Sequence, residues 1–255
     1  MDYRHIAVTE DPPFVEVRMR RPERRNALSE EHLRELLHAV RAVGASEARG
    51  LVLAADGPVF SAGHDFQDMA GRDIAGMRSL LATCAELMLA LPRLPQVVIA
   101  QVEGDAIAAG CQLVASCDLA VASEAARFAV PGGRGGWFCT TPGVALGRAV
   151  GRKHALEMLL TGEPVDAATA LAWGLVNRVV PAAQVAAETR ALLERATRGS
   201  ALSKAIGKEA FYRQIDLDLQ AAYAYASEVM AGASQTGDAK ENMAAFLEKR
   251  RARYG

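Results

Sequence analysis

Val97-Val98-Ile99-Ala100-Gln101-Val102-Glu103-Gly104-Asp105-Ala106-Ile107-Ala108-Ala109-Gly110-Cys111-Gln112-Leu113-Val114-Ala115-Ser116 decides the fold class. Val97–Ala100 is a short unbroken apolar run, the pattern of a strand covered on both faces. A turn of small residues follows, and then Ala108–Ser116 reads as a short apolar helix. The order strand, tight turn, helix recurs on both sides. Upstream, Leu51–Ala54 is another buried strand, followed by Phe60–Phe66 and by helical spacing over Asp73–Leu91, with Leu80, Cys84, Leu87 and Leu91 on one side. Further upstream, Val15, Val17 and Met19 alternate with charged residues, a strand with one buried face. Pro22 ends it, and Ser29 caps a helix whose first turn carries Glu30 and Glu31. Downstream, Leu119–Ala122, Arg127–Val130 and Leu175–Val180 read as strands, and Asp166–Trp173 as a helix stopped by Gly174. Strands alternating with helices specify an α/β fold with parallel pairing. Past about residue 183 the strand signals vanish, and a helical region follows whose apolar faces must pack on the core or on another subunit. The expected division is a core over 1–195 and a helical region over 196–255.

Composition narrows the function. The 255 residues hold 29 Lys+Arg and 30 Asp+Glu, a net charge of −1, and 51% are hydrophobic. A chain of this length and apolar content buries a large core and is not a disordered one. Near-cancelling charge excludes a generally basic nucleic-acid binder and a polyacidic tail protein. Cys84, Cys111, Cys117 and Cys139 show no C-x-x-C spacing, which argues against a disulfide framework and a cysteine zinc site. No apolar run reaches the ~18 residues of a membrane span. The start, MDYRHIAV, has neither a signal-peptide core nor an Arg/Ser-rich leader, so a cytoplasmic location is expected.

Two glycine-bearing segments stand out for chemistry. Phe60-Ser61-Ala62-Gly63-His64-Asp65-Phe66 follows a strand, and Gly104–Gln112 opens a helix. Small residues let a ligand approach the backbone, and a helix N-terminus offers free N–H groups. The same residues also serve close helix–strand packing. Other stretches join them in order: Arg21-Pro22-Glu23-Arg24-Arg25-Asn26-Ala27-Leu28 near the start, Cys117-Asp118, Thr161-Gly162-Glu163, Trp173-Gly174-Leu175-Val176, and Phe246-Leu247-Glu248-Lys249-Arg250 at the end. Together they resemble the crotonase (enoyl-CoA hydratase/isomerase) superfamily over nearly the whole chain.

That resemblance implies a crotonase-like spiral of ββα repeats with a helical C-terminal trimerisation region. It implies a coenzyme A thioester as ligand and no other cofactor or metal. It also implies a homotrimer or a dimer of trimers, without nucleic acid or membrane. Two backbone N–H groups, at His64 and Ala109, would hold the thioester oxygen as it gains charge; one such donor contributes roughly 2.7–4 kcal/mol. Family hydratases add two glutamates. Their positions fall here on Gln112 and Gly132, and neither residue can take a proton at neutral pH. Each positioned acid or base is worth about 10²–10⁴-fold, so ordinary hydration is not expected. Hydration by a Gln112-held water, thioester hydrolysis, isomerisation and a non-catalytic acyl-CoA-binding role remain as rivals. The segment Pro131-Gly132-Gly133-Arg134-Gly135-Gly136-Trp137-Phe138-Cys139-Thr140-Thr141-Pro142-Gly143-Val144-Ala145-Leu146 resembles one subgroup of the family with this combination.

Further candidates surround these. His64, beside Asp65, is the nearest replacement base. Cys139, and less so Cys111, is a candidate nucleophile toward an acyl group. Trp137 is a candidate pocket wall, and Thr140 and Thr141 can orient water. The resemblance places Arg24, Arg25, Ala27, Ala62, His64, Asp65, Phe66 and Gly110 along the coenzyme, with Phe246 and Lys249 closing over its nucleotide from a neighbouring subunit. Arg18, Arg20 and Arg21 extend the basic cluster, although alternate strand residues point to opposite faces. Lys204 and Lys208 share a helix face and are expected to form one basic patch.

Overall fold

The computed structural model describes residues 2–254. A six-stranded sheet has the order β1 (Ile6–Asp11), β2 (Phe14–Met19), β3 (Gly50–Ala55), β5 (Val97–Val102), β7 (Leu119–Ser123) and β10 (Arg178–Val180). It is parallel except for the β1–β2 hairpin. A second sheet joins β4 (Val59–Ser61), β6 (Asp105–Ile107), β8 (Arg127–Ala129) and β9 (Val165–Asp166). Successive turns of the chain therefore give one strand to each sheet, β3 then β4, β5 then β6, β7 then β8. A helix follows each of the first two turns, α3 (Ile74–Arg93) and α4 (Ala109–Ser116). This is the expected ββα spiral.

β3 reads as a run of apolar residues because it is buried on both faces; all six of its residues are buried. One face meets α1 (Glu30–Gly44), α3 and α4 in the larger core, around Leu33, Leu36, Val40, Leu51, Leu53, Leu87 and Leu91. The other meets α8 (Val185–Thr197), where Val52, Ala54, Ile99 and Val121 pack on Val185, Leu192 and Leu193. Ser29 caps α1 as expected, accepting the His32 N–H at 3.2 Å, and Asp73 caps α3. α3 is long and apolar enough to cross a membrane by length and composition, yet its Leu80, Cys84, Leu87, Met88 and Leu91 are buried and it packs on α1 and α4.

The remaining elements are α2 (Phe66–Met69), α5 (Thr140–Ala149), α6 (Arg152–Thr161), α7 (Ala167–Trp173), α9 (Ala201–Gln214), α10 (Leu219–Ala233) and α11 (Gly237–Leu247). The strand expected over Leu175–Val180 begins only at Arg178. Gly174 ends α7 with a positive φ, and Leu175 and Val176 cross the core as an irregular link.

Lys208 corrects another expectation. Its ammonium is buried, 2.6 Å from Asp118, and donates to the carbonyls of Leu91 and Gln96. It pins α9 to the sheet and leaves Lys204 without a companion on the surface. Asp118 also accepts from the Val98 N–H and the Tyr212 hydroxyl. Burial pushes the Lys208 pKa down and the Asp118 pKa up, against the attraction between them.

Candidate functional site

The two proposed donors sit where the sheets meet. β4 and β6 pair in parallel, with Ser61 opposite Ala106, so the segments that follow them run side by side. Gly63 has φ +88, and a Cβ there would lie 2.8 Å from the Ala108 Cβ and 3.2 Å from the Ala109 nitrogen. Gly110 meets the same backbone from the other side, since a Cβ there would lie 2.4 Å from the Ser61 carbonyl oxygen. Gly110 therefore serves close packing of α4 on β4. Ala108 turns the chain into α4 with φ 49 and ψ −115, a conformation that costs about 1–3 kcal/mol for a residue with a Cβ. Among the described residues, neither the His64 N–H nor the Ala109 N–H meets a backbone acceptor.

A network invisible to motif reading supports the His64 side. Leu28 bridges to this segment, donating to the Gly63 carbonyl at 2.8 Å and accepting from the Asp65 N–H at 3.1 Å. Asn26, wholly buried at φ 50, donates to the Asp56 and Val59 carbonyls and accepts from the Arg21 N–H. The Ser61 hydroxyl donates to the Asn26 carbonyl and accepts from the Gly63 N–H. The Asn in the Asn26-Ala27-Leu28 stretch was the available signal: a short polar side chain tolerates a left-handed backbone and satisfies several partners. Ala27 is buried and its carbonyl accepts from Arg21, while Ala62 donates its N–H to the Arg25 carbonyl.

The His64 ring, the nearest candidate base, is held without polar partners. Both of its nitrogens are buried without a hydrogen-bond partner among the described residues. Burial pushes its pKa down, only partly opposed by the Leu28 backbone and the Asp68 carboxylate, so the ring is neutral at pH 7.

Asp65 is no partner for it either. Its carboxylate caps α2 through the Gln67 N–H and meets Arg24 at 3.1 Å and Arg21 at 3.5 Å. Burial raises its pKa, but the Gln67 N–H and the two guanidinium groups outweigh that and hold it below the usual carboxylate range.

Of the basic cluster, Arg18 pairs with Glu16 and Asp56, and Arg20 with Asp56. Arg24 is committed to Asp65, and Arg25 is exposed without a side-chain partner among the described residues. Phe66, at the start of α2, is 75% exposed, and Phe246 is 82% exposed beside an exposed Leu247. Lys249 follows α11 with φ 56.

The acid side is built differently. Gln112, on the first turns of α4, is only 4% exposed, and its Oε1 has no partner among the described residues. Gly132 lies in a closed loop. Its carbonyl accepts from the Gly135 and Trp137 N–H groups, both at 3.0 Å, and its own N–H meets the Cys139 sulfur at 3.3 Å. A Cβ at Gly132 would sit 2.2 Å from the Trp137 carbonyl oxygen and 2.7 Å from the Cys139 Sγ. The expected glutamate position therefore lacks room for any side chain.

Cys139 is buried, and burial raises its pKa against the Gly132 N–H, so it is a thiol at neutral pH. Burial raises Cys111 to about 12. Trp137 is 47% exposed on the loop's outside, which fits neither a core residue nor a closed pocket wall in the single chain. Thr140 begins α5 in solvent, its hydroxyl donating to the Phe138 carbonyl; Thr141 is half-buried.

The enoyl-CoA hydratase/isomerase family model matches residues 12–255. The chain belongs to that family. It is 45% identical over 234 residues to mouse enoyl-CoA hydratase domain-containing protein 3, mitochondrial, covering 90% of this chain and 77% of the relative. The human protein of that name is 44% identical with the same coverage. These relatives form the subgroup that residues 131–146 resemble.

Two solved structures superpose closely. The enoyl-CoA hydratase of Mycobacterium smegmatis gives a TM-score of 0.95 at 46% identity, covering 98% of this chain and 99% of that one. The human domain-containing protein 3 gives 0.94 at 40% identity, covering 98% and 100%.

Proposed function

We propose that this family member binds an acyl- or enoyl-CoA thioester and polarises its carbonyl with the His64 and Ala109 N–H groups, without the carboxylate pair of a two-glutamate hydratase. The observation that carries this reading is Gly132: the Trp137 carbonyl and the Cys139 sulfur fill the space an acid would need. With Gln112 an amide, His64 weakened as a base by burial and Cys139 protonated, the site lacks the carboxylates that would move a proton at neutral pH. Polarisation without proton transfer suits an acyl-CoA-binding or regulatory protein. One observation favours a second reading. The buried Gln112 Oε1 lacks a donor among the described residues, and a water held there supports slow hydration or thioester hydrolysis.

Incubation of the purified protein with a panel of CoA thioesters, followed by mass spectrometry, tests both. Tight binding with little or no turnover is expected. Rapid hydration of crotonyl-CoA by the native protein overturns the reading. The exposed Leu219, Tyr223, Met230, Phe246 and Leu247 along α10 and α11 support assembly into trimers or paired trimers. Light scattering coupled to size exclusion gives the number.

A further inference from the structure

Ser61 ends β4, three residues before the His64 N–H, and is wholly buried. Its hydroxyl donates to the Asn26 carbonyl at 2.9 Å and accepts from the Gly63 N–H at 3.2 Å. The Gly63 carbonyl is held by the Leu28 N–H at 2.8 Å. Gly63 is therefore gripped at both ends, at its N–H by a side chain and at its carbonyl by backbone.

That grip sets the next amide. A peptide unit is planar and trans, so its C=O and N–H point in opposite directions. The Gly63 carbonyl and the His64 N–H belong to one such unit. With the carbonyl fixed on Leu28, the His64 N–H is aimed the other way. A hydrogen bond at the carbonyl end also polarises the unit and strengthens its N–H as a donor. The Ala109 N–H is set in the same manner, because it shares a unit with the Ala108 carbonyl, which accepts from the Gln112 N–H at 3.0 Å.

Ser61 reaches this second segment too. A Cβ at Gly110 would lie 2.4 Å from the Ser61 carbonyl oxygen and 2.8 Å from the Ser61 Cβ, so β4 touches the first turn of α4 at this residue. Ser61 also pairs with Ala106 on β6. One residue thus joins the Gly63 turn to the strand and the helix that carry Ala109. Two donors polarise one oxygen only when both lie within about 2.7–3.1 Å of it.

The geometry points to Ser61 as a positioning residue that sets the direction of the His64 N–H and its separation from the Ala109 N–H, a role that rests on the thioester-polarising reading above. Without the hydroxyl, the Gly63 N–H and the Asn26 carbonyl stay buried and lose their partner. The turn then relaxes toward other partners, and the His64 N–H moves with it.

The test uses the full-length protein and 2,4-hexadienoyl-CoA, a conjugated thioester whose absorption moves to longer wavelength when its carbonyl oxygen is hydrogen-bonded. The native protein should produce this shift. Ser61→Ala should lose roughly half of it or more and bind the dienoyl thioester about tenfold more weakly, the contribution of one hydrogen bond. Its affinity for free coenzyme A, which has no thioester carbonyl, should be unchanged. Ser61→Cys, whose thiol donates and accepts only weakly, keeps the buried groups covered and should fall between the two. Val52→Ala, in the core against α8, should lower the melting temperature and leave the shift intact. The full native shift in the folded Ser61 variants, or an equal loss of free coenzyme A affinity, overturns this role and leaves thioester polarisation standing. No shift with the native protein overturns both.

Discussion

The two halves of the candidate site contrast in what they are made of. The proposed donor half, residues 61–65 against 107–110, is backbone, set by paired strands and by one strained turn at Ala108. The acid half, Gln112 and residues 131–139, depends on side chains, and there the chain has closed on itself around Gly132. A backbone donor is indifferent to residue type, so in the proposed reading His64 and Ala109 would serve as well as any other residues. An acid exists only if its side chain exists and has space. A site can therefore keep its power to polarise a carbonyl while lacking any group to move a proton.

The sharpest way to break this comparison is Ala109→Pro. Proline is tolerated at a first helical position but removes the N–H. Any thioester turnover should fall by about 10²–10³-fold, equivalent to roughly 2.7–4 kcal/mol. In a protein that only binds, the absorption shift of a bound conjugated enoyl-CoA should vanish. An unchanged shift or rate removes the donor half from the argument.

Next comes the support beneath that half. His32 is wholly buried under the Ala27 carbonyl, and burial lowers its pKa to about 4. Above about pH 6.5 the ring is neutral folded and unfolded. Below that the unfolded chain binds the proton first, so stability falls as pH falls, by about 3 kcal/mol once pH 4 is reached. Denaturant melts across this window should show the loss, and His32→Gln should flatten it.

On the acid half, Gly132→Ala should cost about 1–3 kcal/mol by overpacking, read as a lower melting temperature. Gln112→Glu with Gly132→Glu should not create a hydratase, because the second acid displaces the loop before it can serve. Fast crotonyl-CoA hydration by that double variant would mean that the loop opens readily. The smallest effect separates two neighbours. Arg25→Ala should weaken coenzyme A binding by about tenfold, the cost of a charged hydrogen bond, and Arg24→Ala by less, because Asp65 already holds Arg24.

The long buried strands and capped helices were legible in the sequence because their periodicity extends over enough residues. Of the second sheet, β8 was read within Arg127–Val130, but β4 and β6 were not: Val59–Ser61 and Asp105–Ile107 are three residues each, too short to show alternation. α5 and α6 were hidden behind the glycines of residues 132–136 and a proline at Pro142 inside the first turn. Motif order singles out His64, Ala109, Gln112 and Gly132 as candidate positions, yet spacing carries no information on volume. Only coordinates reveal that Trp137 and Cys139 crowd Gly132. Asp65 and Lys208 misled for one reason: in each, a charge expected to face a ligand or solvent is neutralised by a partner far away in sequence.

The Lys208 ammonium touches the end of α3, the residue before β5, the residue before β7 through Asp118, and its own helix. One side chain thus couples four segments from residues 91 to 208. C-terminal segments ordinarily fray independently. Here the amides of α9 should exchange hydrogen together with those at the start of β5, as a single cooperative unit, and Lys208→Met should split that unit in two.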